Sequence, residues 1–176
     1  MASERQVTLT DTIELAWRAI LIGGGATLVM DLWAVLLRRL GIPSLNFSLL
    51  GRWLGHLPSG RWSHPSIAQA TPVRGELLLG WCAHYAIGMS FAALLLATCG
   101  LSWAHAPSLF PALGVGAVTV AAPLLILQPA LGAGVASRKT ANPVFNSMKS
   151  LVTHMVYGVG LYLAARAAAA LFPAAA

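Results

Sequence analysis

Four stretches of this chain, at about residues 13–40, 77–101, 109–131 and 150–172, are apolar over some 20 positions or more. As α-helices rising about 1.5 Å per residue, each can cross a hydrocarbon core of about 30 Å. A segment in hydrocarbon must satisfy its own backbone hydrogen bonds, which points to an all-α integral membrane bundle of about four transmembrane helices. Composition agrees, with 57% of residues hydrophobic, 9% charged and a mean hydropathy of +0.74, whereas soluble domains carry about 25% charged residues. Residues 1–176 are read as a single transmembrane domain with a long basic connection over 41–76. Glu4, Asp11 and Glu14 set the first stretch apart from a secretory signal, which opens on basic residues and has a shorter apolar core, so it is expected to stay in the mature protein.

A formal charge of +6 raises the question of nucleic acid or anionic lipid as partner, and the placement of the basic residues decides it. Arg38, Arg39, Arg52, Arg61 and Arg74 occupy or flank the first connection; Arg138, Lys139 and Lys149 flank the third; the second has no Lys or Arg. That pattern fits a lipid bilayer, not nucleic acid, with connections one and three cytoplasmic and both termini outward. Arg5 and Arg18 run against it. Cys82 and Cys99 stand 17 positions apart on one helix, about 25 Å of rise and too far for a disulfide.

Local signals place the helix ends. Asp11, with Glu14 three positions on, suits an N-cap, and Gly41 followed by Pro43 suits a stop. Glycines and prolines break up the 41–75 connection, although Leu49, Leu50, Trp53, Leu54 and Leu57 recur at helical spacing. They form either a short helix in the headgroup layer or an ordinary loop anchored by Trp53 and Trp62. Pro111 fits a first turn, Pro123 predicts a kink, and Pro129 helps to end helix three. A weak duplication pairs Gly23 to Asp31 with Gly114 to Gln128, and His84 to Gly88 with His154 to Gly158, as two hairpin repeats would.

Ionisable side chains inside membrane segments cost about 2.5 to 3.5 kcal/mol at mid-helix and normally face the bundle. Here they are Asp31, His84 and His154. Counting from the helix ends on the basic side puts all three about 6 to 14 Å from that face. Gln128 falls in the same half, so each helix brings one polar group to a common level. Gly23, Thr27 and Asp31, then Gly80, His84 and Gly88, then Ser150, His154 and Gly158 follow i, i+4, i+8 lines, stripes of small residues along which membrane helices approach closely. The same counting sets Arg38 level with Glu76 as a rim ion pair.

Several readings of this cluster stand side by side. Asp31, His84, Gln128 and His154 can simply fasten the helices, at about 0.6 kcal/mol per contact, in a non-catalytic accessory or scaffold subunit that joins a membrane-protein partner or a homo-oligomer. They can bind or pass a proton or small cation. Asp31, His84 and His154 also suit a transition metal, and the two histidines the axial positions of haem b. No spacing motif demands either cofactor, and none is expected. Ser90 and Cys82 have no base beside them, so no catalytic residue is assigned. His56, His64 and His105 read as loop histidines, and Tyr85, Tyr157 and Tyr162 as packing aromatics.

Gly-Gly-Ala-Thr-Leu-Val-Met-Asp-Leu-Trp at 24–33, Gly-Ile-Pro-Ser at 41–44, Gly-Arg-Trp-Leu-Gly-His at 51–56, Gly-Trp-Cys-Ala-His-Tyr at 80–85, Gln-Pro at 128–129 and Thr-His at 153–154 together resemble a family of uncharacterised bacterial inner-membrane proteins, domain of unknown function 2938. The resemblance covers about residues 20 to 165. It implies a polytopic helical protein of the cytoplasmic membrane and supplies no substrate, cofactor or catalytic residue.

Overall fold

The computed structural model describes residues 9–173, so Glu4 and Arg5 lie outside the described residues. Helix α1, Leu9–Arg39, contains Asp11 in its first turn, so that Asp11 is not the cap expected of it. Its end is the expected one. Gly41 takes a φ of 75°, and the Gly41 and Ile42 N–H groups turn back to the carbonyls of Arg38 and Leu37 at 3.1 and 2.9 Å, where a side chain at position 41 would be strained.

Of the two readings of the first connection, the short helix is the one that forms. Helix α2, Phe47–His56, starts at Asn46, whose side chain accepts the Ser48 N–H at 3.0 Å. It docks against the first turns of α3, Glu76–His105, with Leu50 buried. The approach is so close that a Cβ on Gly51 would overlap the Glu76 carbonyl, and one on Gly80 the Phe47 carbonyl. Helix α3 breaks at Gly100 (φ 74°, ψ 178°) and continues to His105.

Helix α4, Leu109–Thr119, passes through a π-helical turn, Ala122–Leu127, into the short α5, Gln128–Leu131. Pro123 explains the turn. It has no N–H to offer one turn back, and the Gln128 N–H reaches the Pro123 carbonyl five residues behind it, so the expected kink takes the form of a widened turn. Helix α6, Pro143–Leu171, begins several residues before its apolar run, with a proline at its start where no N–H is needed.

Among the described residues three segments are long and apolar enough to cross a membrane: Leu9–Arg39, Glu76–His105 and Leu109–Leu131. Helix α6 matches them in length, at 29 residues, but carries Lys149, His154 and Arg166. The described residues contain no strand. Helix α1 lies between α3 and α6, and α4 packs on α6. Glycines set the spacing: Gly23 abuts Gly88 and Met89, Gly116 abuts Gly158, and Gly160 abuts Ala26. One glycine pair thus closes α1 on α3 and another closes α4 on α6. Between the seams lies a buried apolar layer of Ile22, Ala26, Leu95, Leu96 and Leu161, each at most 2% exposed.

Candidate functional site

Toward the basic end the helices part around a cavity of about 500 Å³, bounded by α1, α2, α3, the π-helical turn and α6. Asp31, His84, Gln128 and His154 all line it. The glycine seam explains the first pair. With Gly23 seated on Gly88, eight residues along α1 and four back along the antiparallel α3 leave Asp31 about one turn beyond His84, a gap the His84 side chain spans because helical side chains lean toward the N-terminus of their own helix. Asp31 Oδ1 lies 2.9 Å from His84 Nε2, and Oδ2 accepts the Tyr85 hydroxyl at 3.0 Å. Phe47 of α2 covers the His84 ring at a centroid distance of 4.4 Å, with Trp81 at 5.9 Å.

His154 stands on the same wall with a different partner. Its Nδ1 is 3.1 Å from Thr119 Oγ1, and that hydroxyl donates to the Gly116 carbonyl at 3.1 Å. A hydroxyl has one proton, so with that proton on Gly116 Thr119 is placed to accept from Nδ1–H, the tautomer in which an uncharged imidazole carries its lone pair on Nε2. Gln128 is tied at the rim: its amide donates to Ser150 Oγ at 3.2 Å and its carbonyl accepts from Ser137 Oγ at 2.9 Å. Ser137 and Ala136 hold φ of 59° and 49°, a region that side-chain-bearing residues rarely adopt, and the Ser147 hydroxyl pins the Ala136 carbonyl at 3.0 Å. The structure therefore joins Asp31 to His84 directly and gives His154 and Gln128 partners of their own around the same cavity. Among the described residues no three His, Cys, Asp or Glu side chains group as metal ligands.

The rim ion pair differs from expectation. Glu76 pairs with Arg52, not with Arg38, through contacts of 2.8 and 2.9 Å, and also accepts the Val73 N–H at 3.0 Å. The Glu76 carboxylate, hydrogen-bonded to the Arg52 guanidinium, raises its pKa above the ordinary value. Arg52 also donates to the carbonyls of Ala68 and Ala70 at 3.2 and 3.1 Å. Arg38 instead donates to Ser44 Oγ at 2.9 Å. Counting along two antiparallel helices cannot see a residue that the connection folds in between them, and α2 inserts Arg52 there.

Sequence reasoning also missed Tyr85, Thr119, Ser137 and Lys149. Tyr85 follows His84 by one position, about 100° around the helix, so face-counting put it elsewhere. A second polar cluster lies at the opposite end. Glu14 Oε1 takes Arg18 Nε and His105 Nε2, both at 2.7 Å, and Arg18 donates to the Phe172 carbonyl at 2.9 Å. The i, i+4 spacing of Glu14 and Arg18 was a legible signal for that pair. In the first connection His56 Nδ1 meets His64 Nε2 at 2.8 Å.

Among curated proteins and solved structures, none matches this chain. Residues 20–168 match the family described as "Protein of unknown function (DUF2938)", and the chain belongs to that family.

Proposed function

We propose that this protein is a multi-pass protein of the bacterial inner membrane, with its basic connections in the cytoplasm and both termini outward, and that its cavity binds and releases a proton at the Asp31–His84 pair. One observation carries the reading: within a cavity of about 500 Å³, Asp31 meets His84 Nε2 at 2.9 Å and the Tyr85 hydroxyl at 3.0 Å. Each carboxylate oxygen meets a group able to carry a proton, His84 Nε2 on one and the Tyr85 hydroxyl on the other, which suits a proton shared between carboxylate and imidazole. The lone pair on His154 Nε2 provides a second proton acceptor on the same wall. Ionisable groups at such depth are costly, and pairing them inside a cavity is the usual way they are kept.

Acidifying the full chain in lipid nanodiscs, followed by infrared difference spectroscopy and by a pH-indicating dye, tests the proposal. Wild-type protein is expected to show proton uptake with matching carboxyl and imidazole bands, and Asp31→Asn to lose both while keeping its melting temperature. Bands and uptake that survive Asp31→Asn, accompanied by a lower melting temperature, make the pair a fastener and overturn the reading.

A further inference from the structure

The cavity is much larger than a proton requires, and the charges at its mouth are unbalanced. Its volume of about 500 Å³ falls within the range of about 300–1,000 Å³ typical of small-molecule sites. Its walls are apolar, with Leu37, Leu50, Ile87, Phe91, Ile126 and Leu127 among them. At the mouth Lys149 Nζ donates to the Pro43 carbonyl at 2.7 Å, which engages one of the three N–H bonds of an ammonium. Ser44 and Ser150, which also line the cavity, accept from Arg38 and Gln128 at 2.9 and 3.2 Å. Neither hydroxyl donates to another described group, so their O–H bonds remain available. The ion pairs among the described residues include neither Lys149 nor Arg38. The carboxylates near this end are engaged elsewhere, Asp31 by His84 and Tyr85 and Glu76 by Arg52.

We infer that the cavity takes an anionic amphiphile with a single apolar chain, its carboxylate or phosphate head held by Lys149, Ser44 and Ser150 and its chain lying between the apolar walls. Free donors and cations without counterions favour an anion and repel a cation. Apolar walls below the mouth accept a chain, and an amphiphile in the bilayer arrives with its head already at the basic face. The site shares the cavity with the proton reading but stands on other groups.

The test uses the full chain in phosphatidylcholine nanodiscs with radiolabelled hexadecanoate as probe and hexadecyl phosphate, hexadecanol and hexadecyltrimethylammonium as competitors. Saturable binding is expected, with hexadecyl phosphate competing and the alcohol and the ammonium weaker by about tenfold or more. The tighter of the two anions identifies the head. Lys149→Gln is expected to weaken hexadecanoate by about tenfold, and filling the cavity with Ala34→Phe or Ala122→Phe, whichever keeps the wild-type melting temperature, to abolish binding. Absence of saturable binding, equal competition by hexadecanol or the ammonium, or unchanged affinity in Lys149→Gln overturns the inference. Proton uptake by wild-type protein without amphiphile is measured separately, so either reading can fail while the other stands.

Discussion

Replacing Gly23 with alanine tests whether the seam between α1 and α3 is what places Asp31 beside His84. A Cβ at position 23 would lie 2.5 Å from Met89 Cα and 2.9 Å from both Met89 N and the Gly88 carbonyl oxygen, backbone atoms that no rotamer change can move. Carbons in contact sit about 3.5–4.0 Å apart, so the helices must separate by about 1 Å. Overpacking of this kind costs about 1–3 kcal/mol, and the methyl offsets at most about 1 kcal/mol of that through helix propensity. With the full offset a net loss of up to about 2 kcal/mol is expected. Asp31 lies two turns further along the same face, and a separation carried that far takes its 2.9 Å contact with His84 beyond hydrogen-bonding distance. Two other helical glycines serve as controls. Position 24 would meet only Met89 Cε, at 3.8 Å, and position 114 nothing within 4 Å, so Gly24→Ala and Gly114→Ala should be neutral or stabilising by up to about 1 kcal/mol. Unfolding in a common lipid or detergent measures the energies, and nitrogen NMR of the His84 imidazole reports the hydrogen bond. If Gly23→Ala unfolds together with Gly24→Ala and the His84 resonances do not move, the seam does not position the pair and the reasoning fails.

Other perturbations have equally definite signs. Arg18 is 1% exposed and Glu14 26%, so Glu14→Leu, which leaves a sealed guanidinium without its counter-ion, should cost about 3–5 kcal/mol. Arg18→Met should cost less, because Glu14 keeps His105 and some solvent; the reverse order in unfolding measurements would contradict the burial argument. Burial first, and then the charges of His56 and Arg61, lowers the pKa of His64 from its ordinary 6.5. A depressed folded-state pKa contributes stability that is full above about pH 6.5 and lost as the pH falls, since the unfolded chain then takes the proton more readily. Melting temperatures across a pH series should therefore drop on acidification, less steeply in His64→Gln, and a wild-type slope unchanged by that substitution would refute the attribution. Arg52→Ala removes the clamp on Glu76 and on the Ala68 and Ala70 carbonyls. Hydrogen exchange should then quicken over 47–56 and 66–70 and leave α6 as it was; equal rates in both proteins would mean that packing alone holds α2.

The helical architecture was legible because hydrocarbon imposes one rule on every spanning segment, and apolar length reveals it directly. Helix ends were legible where a local motif acts alone, as at Gly41, and less so where polar residues extend a helix beyond its apolar run, as at Pro143–Ser150 in α6. The spacing of Asp31 and His84 on their glycine stripes carried real information, since depth along a helix is nearly linear in residue number. What the sequence withheld were choices among partners at equal depth. His154 turns to Thr119, Gln128 to Ser137 and Ser150, and Glu76 to Arg52. Each choice depends on helix rotation or on the path of a connection, and neither follows from counting residues. Tyr85 shows the same limit from the other side: an aromatic side chain is long enough to reach a carboxylate that its Cα position alone would assign to its neighbour.

The two polar clusters on α1 bear on what the cavity can do. Glu14 and Arg18 lie toward one end of α1 and Asp31 toward the other, and between them Ile22, Ala26, Leu95, Leu96 and Leu161 are at most 2% exposed. The hydroxyls nearest this layer are already engaged, Tyr157 with the Gly88 carbonyl at 2.6 Å and Thr27 with the Gly23 carbonyl at 2.7 Å. A proton held at Asp31 and His84, as proposed above, would thus meet apolar side chains ahead and an open cavity behind. Helix separation could wet that layer, but it would have to break the contacts Gly23–Gly88, Gly116–Gly158 and Gly160–Ala26, where backbones already touch and close packing holds membrane helices together. Such a scaffold favours a site loaded and emptied from one side over a pathway conducting from face to face.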